Sequence, residues 1–203
     1  MQSSKDEILA SIRQHTQEQF PLPDLSALEQ QALTFTDRVK QFGQVLQQGG
    51  GKLAVLPEGT TLGAFIASLY PEAQTVANTL PTLSGAEQLP GRVFNPDEVE
   101  QPAELNGTDL AIIEAQLGVA ENGCCWIEEY VRHRTIFFIS EALVIVLKRS
   151  QLVNNMHEAY TTLPDQPQAP FACFISGPSK TADIEQALVF GAHGAKDVTV
   201  VLI

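Results

Sequence analysis

Basic residues are scarce in this sequence. The 203 residues include 12 Lys and Arg against 24 Asp and Glu, a net charge of −12 at neutral pH. A nucleic-acid-binding protein needs a basic face to displace counterions from phosphates, so the balance argues against DNA or RNA as a partner. The same acidity would be repelled by an anionic lipid surface. Long apolar runs are missing too. Stretches such as Ala142–Leu147 are short, whereas a helix needs about 20 apolar residues to cross a bilayer. The N-terminus, MQSSKDEILASIRQH, carries charges where a signal peptide has its apolar centre. Together these absences point to a cytoplasmic protein that binds neither nucleic acid nor membrane.

Cysteine is equally sparse. Cys124, Cys125 and Cys173 are the only three, and an adjacent pair plus one distant thiol makes neither a disulfide framework nor a CxxC metal site. They read as small buried hydrophobes, and no metal is expected on this chain. The sequence also lacks Gly-x-Gly-x-x-Gly, P-loop, His-Glu-x-x-His and Gly-x-Ser-x-Gly motifs. Nucleotide-dependent dehydrogenase and serine hydrolase readings lose their support, and no cofactor is expected.

What is present suits one globular domain: 44% hydrophobic and 18% charged residues. A short helix is predicted around Asp6–His15. Beyond the prolines of FPLPD, residues Leu28, Ala32, Phe35, Val39, Phe42 and Leu46 recur at spacings of four and three, one face of a long helix ending at Gly49–Gly51. The expected division is therefore a helical arm over residues 1–48, packing on an α/β domain over residues 52–203.

Within that domain KLAVL, TVANT, ALVIVL, FACFI and VTVVLI read as strands, and DLAIIEAQLGVAENGCCWIEE as two more around a turn. Helices are predicted in GTTLGAFIASLY, along the stripe Leu152, Val153, Met156, Ala159, Tyr160 and Leu163, and over Thr181–Phe190. The Ser84–Thr108 stretch reads as a surface connector. Near-continuous apolar strands alternating with helices imply an α/β fold with a mostly parallel sheet between helical layers.

Chemistry concentrates in ISGPSKTADIEQALVFGAHGAKDVTVVLI, from Ile175 to Ile203. Ser176, Ser179 and Thr181 offer hydroxyls, Gly177 a flexible backbone, and Lys180 a charge. With the N–H groups of a helix start these are the parts of an anion cradle. The same residues also suit a plain helix cap, with Asp183 and Glu185 favoured by the helix dipole. His193, flanked by glycines, serves either as a general acid or base or as a cap on the helix C-terminus. Arg132-His133-Arg134 is a basic cluster that either faces a cleft and attracts carboxylates or is simply solvated.

The string SGPSKTADIEQALVFGAHG resembles the C-terminal signature of the lactate utilization (LUD) family, a Ser-Gly-Pro-Ser-x-Thr-Ala-Asp-Ile-Glu turn and helix followed by a Gly-x-His-Gly-Pro turn. The segment Gly118–Gly123 resembles the family's Ala-Glu-Thr-Gly turn. Ala195 stands where the family has proline, and Asn122 where it has threonine. The resemblance implies a three-layer α/β/α sandwich like that of ribose-phosphate isomerase, glucosamine-phosphate deaminase and the CoA-transferases. It also implies a role in oxidising L-lactate to pyruvate beside partner proteins that carry iron–sulphur clusters. With so few cysteines, this chain is similar to the cluster-free component.

Three functions follow from these residues. In the first, a cleft lined by Ser176, Gly177, Ser179, Thr181, Asp183, Glu185 and His193, with Glu121 opposite, binds a small carboxylate or a partner. The second is a stand-alone acyl-CoA enzyme, because Ala120-Glu121-Asn122-Gly123 is similar to the turn in which CoA-transferases place a nucleophilic glutamate. The third is an assembly or regulatory protein that presents its N-terminal helices.

Overall fold

The structure, a computed structural model, describes residues 3–16, 20–21, 23–24, 27, 31–129, 131–164, 169–182 and 188–203. Two compact units, Met1–Ala32 and Leu33–Ile203, divide the chain. The first contains helix α1 (Ser4–His15). It opens with a capping box: the Ser3 hydroxyl accepts the Asp6 N–H at 3.2 Å, and the Asp6 carboxylate accepts the Ser3 N–H at 3.2 Å.

The second unit begins at Leu33, ahead of α2 (Arg38–Gln48). Leu28 lies outside the described residues, and Leu33–Asp37 are not helical, so the apolar stripe is not one long helix. Asp37 sets the new start, because its carboxylate accepts the Lys40 N–H at 2.9 Å. The stripe nevertheless points inward as expected, with Phe42 and Leu46 buried in the main core.

Six strands form a parallel sheet in the order β1 (Lys52–Val55), β12 (Asp197–Leu202), β7 (Ala142–Leu147), β4 (Leu110–Ala115), β2 (Thr75–Asn78) and β3 (Arg92–Phe94). Alternation along the two central strands places Leu110, Ile112, Val144 and Val146 on one face and Ala111, Ile113, Leu143 and Ile145 on the other. Both faces are covered, which is why these strands read as nearly continuous apolar runs. Leu62 and Ile66 of α3 (Leu62–Leu69) cover the first face. The opposite face packs α2, the single turn α4 (Ile136–Ile139) and a second sheet.

That second sheet has four strands, ordered β8 (Leu152–Val153), β5 (Leu117–Val119), β6 (Cys124–Glu128) and β9 (Ala172–Ile175). The segment predicted as two strands around a turn is thus three, since the chain leaves the large sheet after Ala115 and enters the small one at Leu117. Leu152 and Val153 pair with β5, and the following helix, α5 (Met156–Thr162), starts only after Asn155, whose side chain accepts the Glu158 N–H at 2.9 Å. The Ser84–Thr108 connector holds β3 and three short 3₁₀ turns.

The predicted Thr181–Phe190 helix is replaced by an antiparallel pair, β10 (Lys180–Ala182) and β11 (Leu188–Phe190), with Thr181 opposite Val189. Thr, Val and Phe favour extended backbone, and this preference outweighs the helical spacing. Asp183 and Glu185 lie outside the described residues. The cysteines are buried or half-buried as expected. Burial pushes the Cys124 thiol up to about 12 and raises Cys125 and Cys173 as well, so all three are held as unreactive thiols.

Candidate functional site

Parallel α/β sheets gather ligands at the carboxyl ends of their strands. A hollow of about 740 Å³ lies there, at the ends of β2, β3 and β4. Asp97, Glu98, Glu114, Glu128 and Glu129 line it, with Asn78, Thr79, Asn95 and Gln116 between them. Lys148 stands 3.6 Å from Glu114, but five carboxylates in one hollow repel an anion. A small carboxylate therefore has no place in this hollow. Nor do the acids converge: no group of three or more His, Cys, Asp or Glu among the described residues is placed to hold a metal ion.

Glu129 is a perturbed acid in that hollow. Burial pushes its pKa up, the Glu114 N–H (2.8 Å) and the Thr79 hydroxyl pull it down, and the charges of Glu114 and Asp97 raise it again. The net direction is upward. A carboxyl with a raised folded pKa binds more protons folded than unfolded. Its contribution is complete below the ordinary glutamate value of ~4.3 and is lost as pH rises through the folded value. Glu129→Gln keeps an acceptor for the Glu114 N–H and removes the charge. Thermal unfolding should then show a higher midpoint than wild type at pH 7 and a flatter slope from pH 4 to 8. Parallel slopes for the two proteins would remove Glu129 as a source of pH dependence.

The residues expected to form one cleft separate into neighbouring groups. Glu121 is half-buried beside α5: its carboxylate accepts the Met156 N–H at 2.9 Å, and its own N–H donates to Asn154 O at 2.9 Å. Its visible task is to hold the first turn of α5. Ser176 donates to Asn122 O at 3.2 Å, which joins the SGPS turn to the AENG turn. The missing side chain of Gly177 faces Gly49 O, 3.0 Å from where a Cβ would stand.

Ser179 belongs with His193. Ser179 N–H donates to Ala195 O at 2.9 Å, Gly191 N–H to Ser179 O at 3.0 Å, and His193 N–H to the Ser179 hydroxyl at 3.4 Å. One serine thus pins the whole GAHG turn, and His193 follows the strand β11 with no helix C-terminus to cap. Beneath this turn lies a hollow of about 200 Å³, walled by Phe138, Ile139, Ser140, Glu141 and Lys196 together with the turn itself. Ser140 and Glu141 precede β7, and Lys196 precedes β12, so this hollow sits at the amino edge of the sheet rather than the carboxyl edge. Thr181 lies on β10, one residue past Lys180.

The basic cluster is occupied elsewhere. The Arg132 guanidinium donates to Val99 O at 3.2 Å, the His133 ring lies 3.0 Å from the same carbonyl, and Arg134 sits over the Phe171 ring. The two contacts with Val99 fasten the connector to the chain before α4. Sequence reasoning missed Ser140, Lys196 and the five acids. Lys196 carried a signal, being a lone lysine two residues after the GAHG turn, whereas the others come from segments far apart in sequence.

These features define a class: an α/β protein on a parallel sheet, with an acidic hollow at one edge and a lysine-bearing hollow at the other. Among the described residues no helix is long and apolar enough to cross a membrane. The LUD domain family model matches residues 95–203, more than half of the sequence. This chain belongs to the LUD domain family. It is 26% identical over 202 residues to lactate utilization protein C of Geobacillus thermodenitrificans, an alignment covering 94% of this chain and 76% of that protein. It is 31% identical over 98 residues to an uncharacterized protein of Neisseria meningitidis serogroup B, covering 47% of this chain and 42% of the relative. The crystal structure of a DUF162 family protein from Deinococcus radiodurans superposes with a TM-score of 0.58 at 15% identity, covering 84% of this chain and 98% of that one. That likeness carries the fold alone.

Proposed function

We propose that this chain is the cluster-free component of a lactate utilization system, acting with iron–sulphur partner proteins in the oxidation of L-lactate to pyruvate. The observation that carries this reading is membership of the LUD domain family together with curated relatives named lactate utilization protein C. The buried and half-buried thiols support it, because side chains held protonated and packed in apolar surroundings leave cluster ligation to another chain. In this reading Ser176, Gly177, Ser179, Thr181 and His193, with Asp183 and Glu185 on the same segment, receive a small carboxylate or the partner. Glu121 as an acyl-CoA nucleophile is the competing enzyme reading, and the Met156 N–H on its carboxylate weighs against it.

The assembly role is favoured by one observation. α1 has no buried residue and exposes Ile8, Leu9 and Ile12, an apolar stripe suited to a partner. The test is a tagged pull-down from the native host grown on L-lactate, assayed for iron–sulphur absorbance and lactate-dependent dye reduction. Co-elution of both is expected. Removing residues 1–32 should abolish co-elution if α1 is the docking element and leave it intact if the main unit holds the partner. A full chain that elutes alone and inert sinks the lactate system reading.

A further inference from the structure

We infer that the hollow beneath the GAHG turn is a binding site for a short 2-hydroxy acid, with Lys196 taking the carboxylate and Ser140 the hydroxyl. This assignment rests on the lactate reading above and adds two residues that the sequence did not single out.

Ser140 supplies the first observation. Its side chain is 2% exposed and lines the hollow, and its hydroxyl oxygen is buried with no hydrogen-bond partner. Buried hydroxyls are nearly always matched, so an orphan on a residue that lines a cavity can turn about χ1 to meet a ligand atom there. Lys196 supplies the second. Gly191 has φ +77°, and a Cβ there would stand 2.2 Å from Lys196 Cγ. The bare backbone of Gly191 is what lets the lysine stem lie along the turn and bring its ammonium to the hollow.

That ammonium meets Glu141 at 2.6 Å, with both side chains 57% exposed. An exposed ion pair of this kind is weak and exchangeable. A ligand carboxylate can take the place of Glu141 without leaving a buried charge unmatched. The turn that carries His193 is already fixed through Ser179, so little ordering is needed on binding.

Size and charge select the ligand. About 200 Å³ corresponds to some six or seven waters at ~30 Å³ each. That is room for a three-carbon acid and too little for a nucleotide or a CoA ester. Phe138 and Ile139 offer an apolar wall for a methyl group. The larger hollow at the opposite edge is closed to such an anion by its carboxylates.

The test uses the purified full chain labelled with ¹⁵N and titrated with L-lactate, pyruvate and acetate. L-lactate should shift the amides of Gly191, Ala192, Gly194 and Lys196 saturably. Lys196→Gln should weaken every acid about tenfold or more, the loss of one charge-assisted bond. Ser140→Ala should weaken L-lactate several-fold while leaving acetate, which has no hydroxyl, unchanged. Glu141→Gln, an exposed change that frees Lys196, should tighten all three. Loss of acetate and lactate alike in Ser140→Ala would make that serine merely structural and overturn its role. Shifts confined to other parts of the chain, no saturable shift, or indifference to both Lys196→Gln and Glu141→Gln would overturn the site. Binding is read without partners, so a failed pull-down with intact binding refutes the system reading alone, and the converse refutes this site alone.

Discussion

Phe42→Ala is expected to lower the free energy of unfolding by ~3–5 kcal/mol, the range for emptying a buried aromatic site. The ring is wholly buried in the main core, and it reaches β5, where a Cβ on Gly118 would lie 3.5 Å from its Cε2. Phe42 thereby ties α2 to the small sheet while its neighbours in the core come from the large one. Domains hold only about 5–15 kcal/mol in total, so this single truncation removes a large share of the stability. Urea denaturation followed by the lone tryptophan, Trp126 of β6, is the direct measurement. A loss under ~1 kcal/mol would mean that α2 is dispensable packing. The same logic separates two truncations: a chain starting at Leu33 should keep its denaturation midpoint, whereas one starting at Gly49 should not fold.

Gly63→Ala is expected to destabilise by ~2–3 kcal/mol, against the direction helix propensity predicts. In an exposed helix the exchange would gain ~1 kcal/mol. Here Gly63 sits in the first turn of α3, buried, with its N–H donating to Ser84 O at 2.8 Å. A Cβ would stand 1.9 Å from Gly85 O and 2.4 Å from Gly85 C. Both are backbone atoms and cannot swing aside, so α3 and the Ser84–Gln88 turn must part, which breaks the Ser84 contact and the Thr61–Gln88 side-chain bond of 2.6 Å. A calorimetric midpoint at or above that of wild type would show that the turn yields freely.

The parts of this fold that were legible are those where local pattern and tertiary demand agree. ALVIVL is apolar throughout and VTVVLI nearly so because both faces of β7 and β12 are covered, and the inward stripe of α2 is plain in Phe42 and Leu46. Where local polar bonds compete, the pattern misled. Asp37 and Asn155 each cap a helix later than the apolar spacing suggests. The Thr181–Phe190 segment has helical spacing, yet its two ends pair with one another as antiparallel strands. The candidate site was legible as a segment but not as a cavity. Ser179 and His193 meet because β10 and β11 fold back on one another, and Ser140 is one serine among many until burial isolates its hydroxyl. The acids of the large hollow are gathered from three stretches of chain that share no sequence motif.

The position of β12 between β1 and β7 governs how the molecule is assembled. Lys52 of β1 pairs with Thr199, and among the described residues β1 has no other strand beside it. Every rung joining the start of the main unit to the sheet is thus a contact between residues separated by most of the chain. Closing such a loop costs entropy before any pairing repays it. The order of events follows: β7 and β4 can associate first, β12 then adds to β7, and only then does β1 find an edge to join. Until that last step the edge of β12 that β1 will occupy is open to a strand from another molecule, so the interval between the two dockings is where a misassembled dimer would form.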